Sequence, residues 1–239
     1  MRKPSPDSVS LDKVSRAVAP HGLALRGGFH PGPEDGVPAL AGGRPSGTLL
    51  LIGNVGAGMW PAFSAASELA DGAAHPLDRW TRRILDGVAG ALGAEAIYPF
   101  GGPPYLPFQR WARAAEGLKA SPLGVLIHPD YGLWHAYRGA LSFATRLELL
   151  GPGPRPSPCE SCAGRPCLAA CPVGAFRPNS DDVSYDVGAC RGHVAGAAGR
   201  LCREGGCLAR LACPVGRSHA YPPAQMAFHM TAFTTGRRS

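Results

Sequence analysis

Eight cysteines, all of them after residue 158 in a chain of 239, constrain this sequence more than any other feature. The first four stand as Cys159-Glu-Ser-Cys162-Ala-Gly-Arg-Pro-Cys167-Leu-Ala-Ala-Cys171-Pro172, the pattern C-x2-C-x4-C-x3-C-P. The other four are Cys190, Cys202, Cys207 and Cys213, with Pro214 after the last. Part of the pattern is an internal repeat. Cys167-Leu-Ala-Ala-Cys171-Pro-Val-Gly174 recurs as Cys207-Leu-Ala-Arg-Leu-Ala-Cys213-Pro-Val-Gly216, with x5 in place of x3 between the cysteines. The start, Met1-Arg-Lys-Pro-Ser-Pro-Asp7, leads into no apolar h-region, so a cytoplasmic, reducing location is expected. A disulfide framework is not expected there.

Thiolates at these spacings point to metal. A cubane [4Fe-4S] cluster needs four thiolates converging on one cage. In the bacterial run C-x2-C-x2-C-x3-C-P the cysteine before proline ligates the other cluster of a pair. By that rule Cys159, Cys162, Cys167 and Cys213 hold one cluster, and Cys171, Cys190, Cys202 and Cys207 the other. This chain has x4 where the usual run has x2, which bears on the pairing more than on the presence of clusters. Zinc competes, because C-x2-C pairs also hold tetrahedral zinc. A single zinc site would leave four cysteines idle, however, and calls for no second Cys-Pro-Val-Gly ending. The expectation is a small two-cluster, ferredoxin-like domain over 151–221, then a C-terminal tail over 222–239.

Before the cysteines, strand and helix signals alternate, as in a layered α/β domain over 1–150. Ser10 caps a helix to Val18, with Leu11, Val14 and Val18 on one face. Residues 23–25 read as a short strand and 26–47 as an irregular connection. Residues 48–52 are a compact apolar run, hence a buried strand. Gly53-Asn54-Val55-Gly56-Ala57-Gly58 turns the chain into a helix over 61–69. Its glycine order is not the GxGxxG of dinucleotide sites. Residues 45–67 carry no charge, but Asn54, Pro61 and the glycines fit strand, turn and helix better than a membrane span. Further helices are expected over 76–92 and 108–118, strands over 94–98 and 123–127, and a strand or helix over 140–149. The stretch Gly151-Pro-Gly-Pro-Arg-Pro-Ser-Pro158 reads as a stiff linker.

One string in the first domain stands apart: Gly124-Val-Leu-Ile-His128-Pro-Asp130-Tyr131-Gly132-Leu-Trp134-His-Ala-Tyr-Arg138-Gly139. Taken plainly it is a strand, a turn and a helix that buries Trp134. With the strand over 48–52, the opening Pro76-Leu77-Asp78 and the segment 94–98, it also resembles the MMACHC family of cobalamin-processing proteins. It resembles, more distantly, the catalytic domain of epoxyqueuosine reductases, which carries its iron–sulfur run in the same order. The resemblance covers about 47–141. It implies a nitroreductase-like fold, so that the whole chain is α+β, holding a corrinoid base-off with no protein ligand below cobalt. Carried over by position, Gly124, His128, Gly132, Trp134 and Arg138 are cofactor-binding. Arg138 matches an arginine that contacts glutathione near the upper face of cobalt, which makes it the catalytic candidate. Gly124 matches a glycine close to the corrin where bulk is poorly tolerated. The reductases' helical repeats are not found in this sequence, and their general acid has only Asp130 as a positional counterpart. Reductive dehalogenases share the architecture but are longer.

The resemblance and the cysteines together predict an oxidoreductase in which two [4Fe-4S] clusters feed electrons to cobalamin for upper-ligand removal. Epoxyqueuosine-like reduction of a nucleoside, simple ferredoxin-type electron transfer, and FMN in place of the corrinoid are the alternatives. The net charge of +7 is scattered, and aromatics do not interleave with Arg or Lys. It therefore fits docking of an electron-donor protein, a ferredoxin, flavodoxin or reductase, better than tRNA. No membrane partner is expected.

Overall fold

The computed structural model describes residues 9–153, 155–178 and 183–235. The expectations for residues 1–8 and for the end of the tail lie outside the described residues. The chain is 43% helical and 16% strand, which places it in the α+β class. It divides into two compact units, residues 1–117 with 136–154, and residues 118–135 with 155–239. The segment 118–135, which sequence order groups with the first domain, thus belongs with the cysteines.

In the first unit, α1 (Leu11–Val18) begins where the Ser10 hydroxyl accepts the Lys13 N–H at 3.2 Å, and it buries Val14 and Val18. Strand β1 (Ala24–Phe29) pairs antiparallel with β2 (Thr48–Val55). This strand runs well past residue 25, where Arg26-Gly27-Gly28 reads as a break. Gly27 takes φ +93° at an irregularity in the ladder, so the pairing resumes beyond it. β2 buries every residue from Thr48 to Asn54, the signature of a strand covered on both faces.

The helix expected over 61–69 is two short ones, α2 (Trp60–Ser64) and α3 (Ser67–Ala70), because Ala66 between them is extended. α4 (Pro76–Leu92) buries Leu77, Trp80, Ile84, Val88 and Leu92 along one stripe and ends at Gly93, whose φ is +67°. β3 (Glu95–Ile97) and α5 (Phe108–Glu116) follow as expected.

The expected strand over 123–127 shrinks to its last two residues. Ser121 to Gly124 form a turn closed by the Gly124 N–H on the Ser121 carbonyl, leaving β4 (Lys119–Ala120) to pair with β5 (Leu126–Ile127). The helix expected after Gly132 is a strand, β6 (His135–Phe143); of the element expected over 140–149, residues 140–143 are strand and 144–149 are neither strand nor helix. The main sheet has the order β1-β2-β6-β3. Arg26 and Glu116 form a buried ion pair at 3.1 Å, and the Tyr137 hydroxyl donates to the same carboxylate. Among the described residues no helix is long and apolar enough to cross a membrane.

The second unit carries the repeat. α6 (Pro166–Ala169) follows the first Cys-x2-Cys pair, and β7 (Phe176–Pro178) and β8 (Val183–Tyr185) form a hairpin. α7 (Val187–Ala195) is capped by the Asp186 carboxylate on the Ala189 N–H at 2.8 Å. α8 (Arg200–Gly205) and α9 (Leu208–Leu211) complete the second half, with α9 packed on α6. Residues 223–235 of the expected tail are helical, α10 (Pro223–Thr235).

Candidate metal centres and the loop beside them

All eight cysteines are free thiols. The core of the second unit is built around them: Cys167 and Cys213 are buried with Leu123, Ile127, Leu133 and Ala209, and Cys159, Cys171 and Cys207 pack at the margin. Buried thiols in an apolar setting hold their protons unless a cation takes their place.

The thiols fall into two neighbourhoods. Burial pushes the Cys159 thiol up from its usual value, and the charges of Cys213, Cys167 and Cys162 push it further. Cys167 is raised in the same way, by burial first and then by Cys213 and Cys162. These four line one cavity, with Leu123, Ile127, Leu133 and Val215 as its apolar wall. In the other neighbourhood burial raises Cys190, with Cys171 and Cys202 adding to it. Cys207 is likewise raised by burial and by Cys190 and Cys202, against the backbone N–H groups of Arg210 and Ala209, which bond its sulfur. The Tyr185 hydroxyl bonds Cys190, and with burial this lifts the phenol well above its usual value. The Ala175 N–H donates to Cys171 Sγ at 3.3 Å.

The membership of the two groups is the one that the Cys-Pro rule assigns. Each Cys-Pro-Val-Gly turn ends on a left-handed glycine, Gly174 at φ +55° and Gly216 at φ +68°. Among the described residues no three or more His, Cys, Asp or Glu side chains gather as ligands of a single metal ion do. Buried and half-buried thiols in two groups of four are a donor set that suits a cluster with four thiolate ligands.

The 124–138 string is split between the units. Gly124, His128, Gly132 and Trp134 lie in the second, Arg138 in the first. His128 is buried. Its Nδ1 lies 3.0 Å from the Asp130 N–H and 3.3 Å from the Tyr131 N–H, and its Nε2 lies 2.8 Å from the Arg155 guanidinium. The imidazole stacks on Tyr131 at 4.0 Å. Asp130 is exposed, 3.7 Å from His128 Nδ1. Trp134 is buried, edge-on to Tyr221 at 5.4 Å. Gly132 is left-handed, and a Cβ there would meet the Val215 carbonyl oxygen at 2.0 Å. Gly124 is left-handed too, but a Cβ there would meet nothing within 4 Å. In the first unit Arg138 pairs with Asp78 at 3.0 Å.

Several residues of this site carry no signal in the sequence motifs. Arg155, Tyr185, Tyr221 and Arg210 are found through the fold. Only Arg210 had a cue, since it sits in the residues that lengthen the second repeat.

No family model matches this sequence, and no curated protein matches it. Among solved structures the chain is similar to the C. elegans B12-trafficking protein CblC, a homologue of human MMACHC, with a TM-score of 0.50 and 13% identity over 95% of this chain and 98% of that one. At that identity the likeness is one of fold. It is also similar to a solved epoxyqueuosine reductase, with a TM-score of 0.47 and 14% identity over 76% of this chain. A third is epoxyqueuosine reductase with an epoxyqueuosine-modified tRNA-Tyr stem loop, with a TM-score of 0.46 and 15% identity over 74% of this chain. The chain spans about half the length of these reductases, 52% and 50%.

Proposed function

We propose that this chain is an iron–sulfur redox protein that takes up two [4Fe-4S] clusters and uses them to reduce or dealkylate a bound corrinoid. The observation that carries the reading is the sorting of eight buried or half-buried thiols into two groups of four, each joining cysteines from both halves of the repeat. Cys159, Cys162, Cys167 and Cys213 would hold one cluster, and Cys171, Cys190, Cys202 and Cys207 the other. When bound, such clusters supply single electrons, at potentials set by net charge, hydrogen bonds to sulfur and exposure.

The corrinoid part of the reading rests on the CblC-like fold and on the residues that match the MMACHC string. Gly124 fits it, because its missing side chain leaves open space beside the backbone. His128 fits a site without a lower protein ligand, because both of its ring nitrogens are engaged within the second unit. Gly132 and Trp134 act through packing that holds this loop. Arg138, kept in place by Asp78, presents a planar, permanently charged group suited to an anionic reductant or leaving group. The scattered positive charge is assigned to docking of an electron-donor protein.

The test is anaerobic reconstitution with iron and sulfide, followed by absorption spectra with and without hydroxocobalamin or FMN. The expected result is a broad charge-transfer band from the clusters and a base-off cobalamin spectrum. A flavin spectrum instead would move the reading to a flavin reductase. Neither would leave an electron carrier, and stoichiometric zinc without sulfide would end the iron–sulfur reading. Tight, salt-sensitive tRNA binding in a gel shift would favour a reductase acting on tRNA.

A further inference from the structure

The second repeat is longer than the first, and the residues that lengthen it place Arg210 between the two thiol groups. Its backbone touches both. The Arg210 N–H bonds the sulfur of Cys207, and its carbonyl accepts the Cys213 N–H at 3.2 Å. Its side chain turns to the 124–138 loop, where the guanidinium donates to the Leu133 carbonyl. It lies 4.5 Å from the ring centres of both Trp134 and Tyr221, so the cation is held between two aromatic faces.

None of the guanidinium's partners carries a charge. Leu133 belongs to the wall of the cavity that Cys159, Cys162, Cys167 and Cys213 line. The Arg210 Nε–H and the Trp134 Nε1–H are both buried with no acceptor among the described residues. Neither side chain lines that cavity, so the Arg210 charge would act on a cluster there through space. The first repeat offers no counterpart, because alanine stands at each position between Leu168 and Cys171.

We propose that Arg210 is a positioning residue that raises the reduction potential of the cluster held by Cys159, Cys162, Cys167 and Cys213. Reduction adds one electron and so one negative charge to the cluster. A fixed, uncompensated cation in a half-buried setting stabilises the reduced form more than the oxidised one. The two clusters would then differ in potential, giving the electron a direction through the unit. This rests on the iron–sulfur reading above.

The experiment is a redox titration of the reconstituted full-length protein with dithionite, followed by EPR, on wild type, Arg210→Met and Arg210→Lys. Iron and sulfide are counted in each. The expected result is full iron in all three, with one of two midpoints in Arg210→Met more negative by about 59 mV, tenfold in the one-electron equilibrium constant. Arg210→Lys should restore most of the shift, since it keeps the charge without the planar fork. Should Arg210→Met fail to fold, Arg210→Gln removes the charge and keeps a donor for Leu133, and carries the same comparison. Unchanged midpoints in the neutral variant overturn the proposal, and so does an equal shift in Arg210→Lys. A wild type with no sulfide overturns the iron–sulfur reading itself, and this inference with it.

Discussion

Gly132 and Gly216 cross backbone to backbone: a Cβ on Gly216 would lie 2.5 Å from the Gly132 nitrogen and 2.2 Å from the Tyr131 carbonyl carbon. Both residues are left-handed, with φ of +57° and +68°. The His-Pro-Asp-Tyr-Gly loop and the second Cys-Pro-Val-Gly turn therefore touch only because neither carries a side chain at that point. Gly132→Ala or Gly216→Ala adds a backbone penalty to an unavoidable clash, about 2–4 kcal/mol together. Chemical unfolding should show that loss in each variant. In Gly124→Ala, with open space around it, about 1 kcal/mol should go.

Reconstituted protein should contain about eight iron and eight acid-labile sulfide per chain, from two cubanes with four thiolates each. Cys159→Ser and Cys202→Ser, from different groups, should each lose one cluster and about half the iron. Because ligation supplies folding energy, both should also lower the unfolding temperature of the loaded protein. Equal loss of all iron in either variant would count against independent groups.

Gly124→Asp should abolish the base-off cobalamin spectrum while far-UV circular dichroism stays unchanged, since a carboxylate brings bulk and a desolvation cost into the open space. Arg138→Gln should bind hydroxocobalamin nearly as well as wild type and remove the upper ligand more slowly, roughly tenfold or more if one charge-assisted contact is lost. Stopped-flow spectra separate the two effects.

The Arg26–Glu116 pair lies deep in the first unit, where the unpartnered ion is costly. Glu116→Leu should destabilise that unit by about 3–5 kcal/mol, and Arg26→Met combined with Glu116→Leu by much less. A double-mutant cycle by urea unfolding reads the difference.

Glu68, bonded to Arg83 across 2.5 Å and 3.0 Å, has its pKa lowered from 4.5 to about 2, chiefly by that hydrogen bond. A lowered carboxylate stabilises the fold fully above about pH 4.5, and the contribution is lost as pH falls toward 2. Arg83→Met should bring the Glu68 titration, followed by NMR, back toward its ordinary value and flatten the acid limb of stability. A Glu68 midpoint that stays put would remove Arg83 as the cause.

The sequence alone determined what depends on local spacing. The helix over 11–18 with its Ser10 cap, the stripe of α4 and the buried run of β2 are set by periods and caps that neighbouring residues carry. The eight cysteines, the Cys-Pro repeat and its spacings were also legible, because they are properties of the chain itself; which thiols neighbour one another depends on how the two halves fold together. What only the tertiary structure decided depends on contacts between distant residues. Residues 118–135 read as part of the first domain by order along the chain, yet their apolar side chains Leu123, Ile127 and Leu133 are buried against Cys167, Ala209 and Cys213. Trp134 is buried as expected, but on a loop leading into a strand, because Tyr221 and Arg210 cover it. Arg210 itself was one residue in an irregular spacing. Its place between two rings and two thiol groups follows from the meeting of segments about 77 residues apart, which no local pattern encodes.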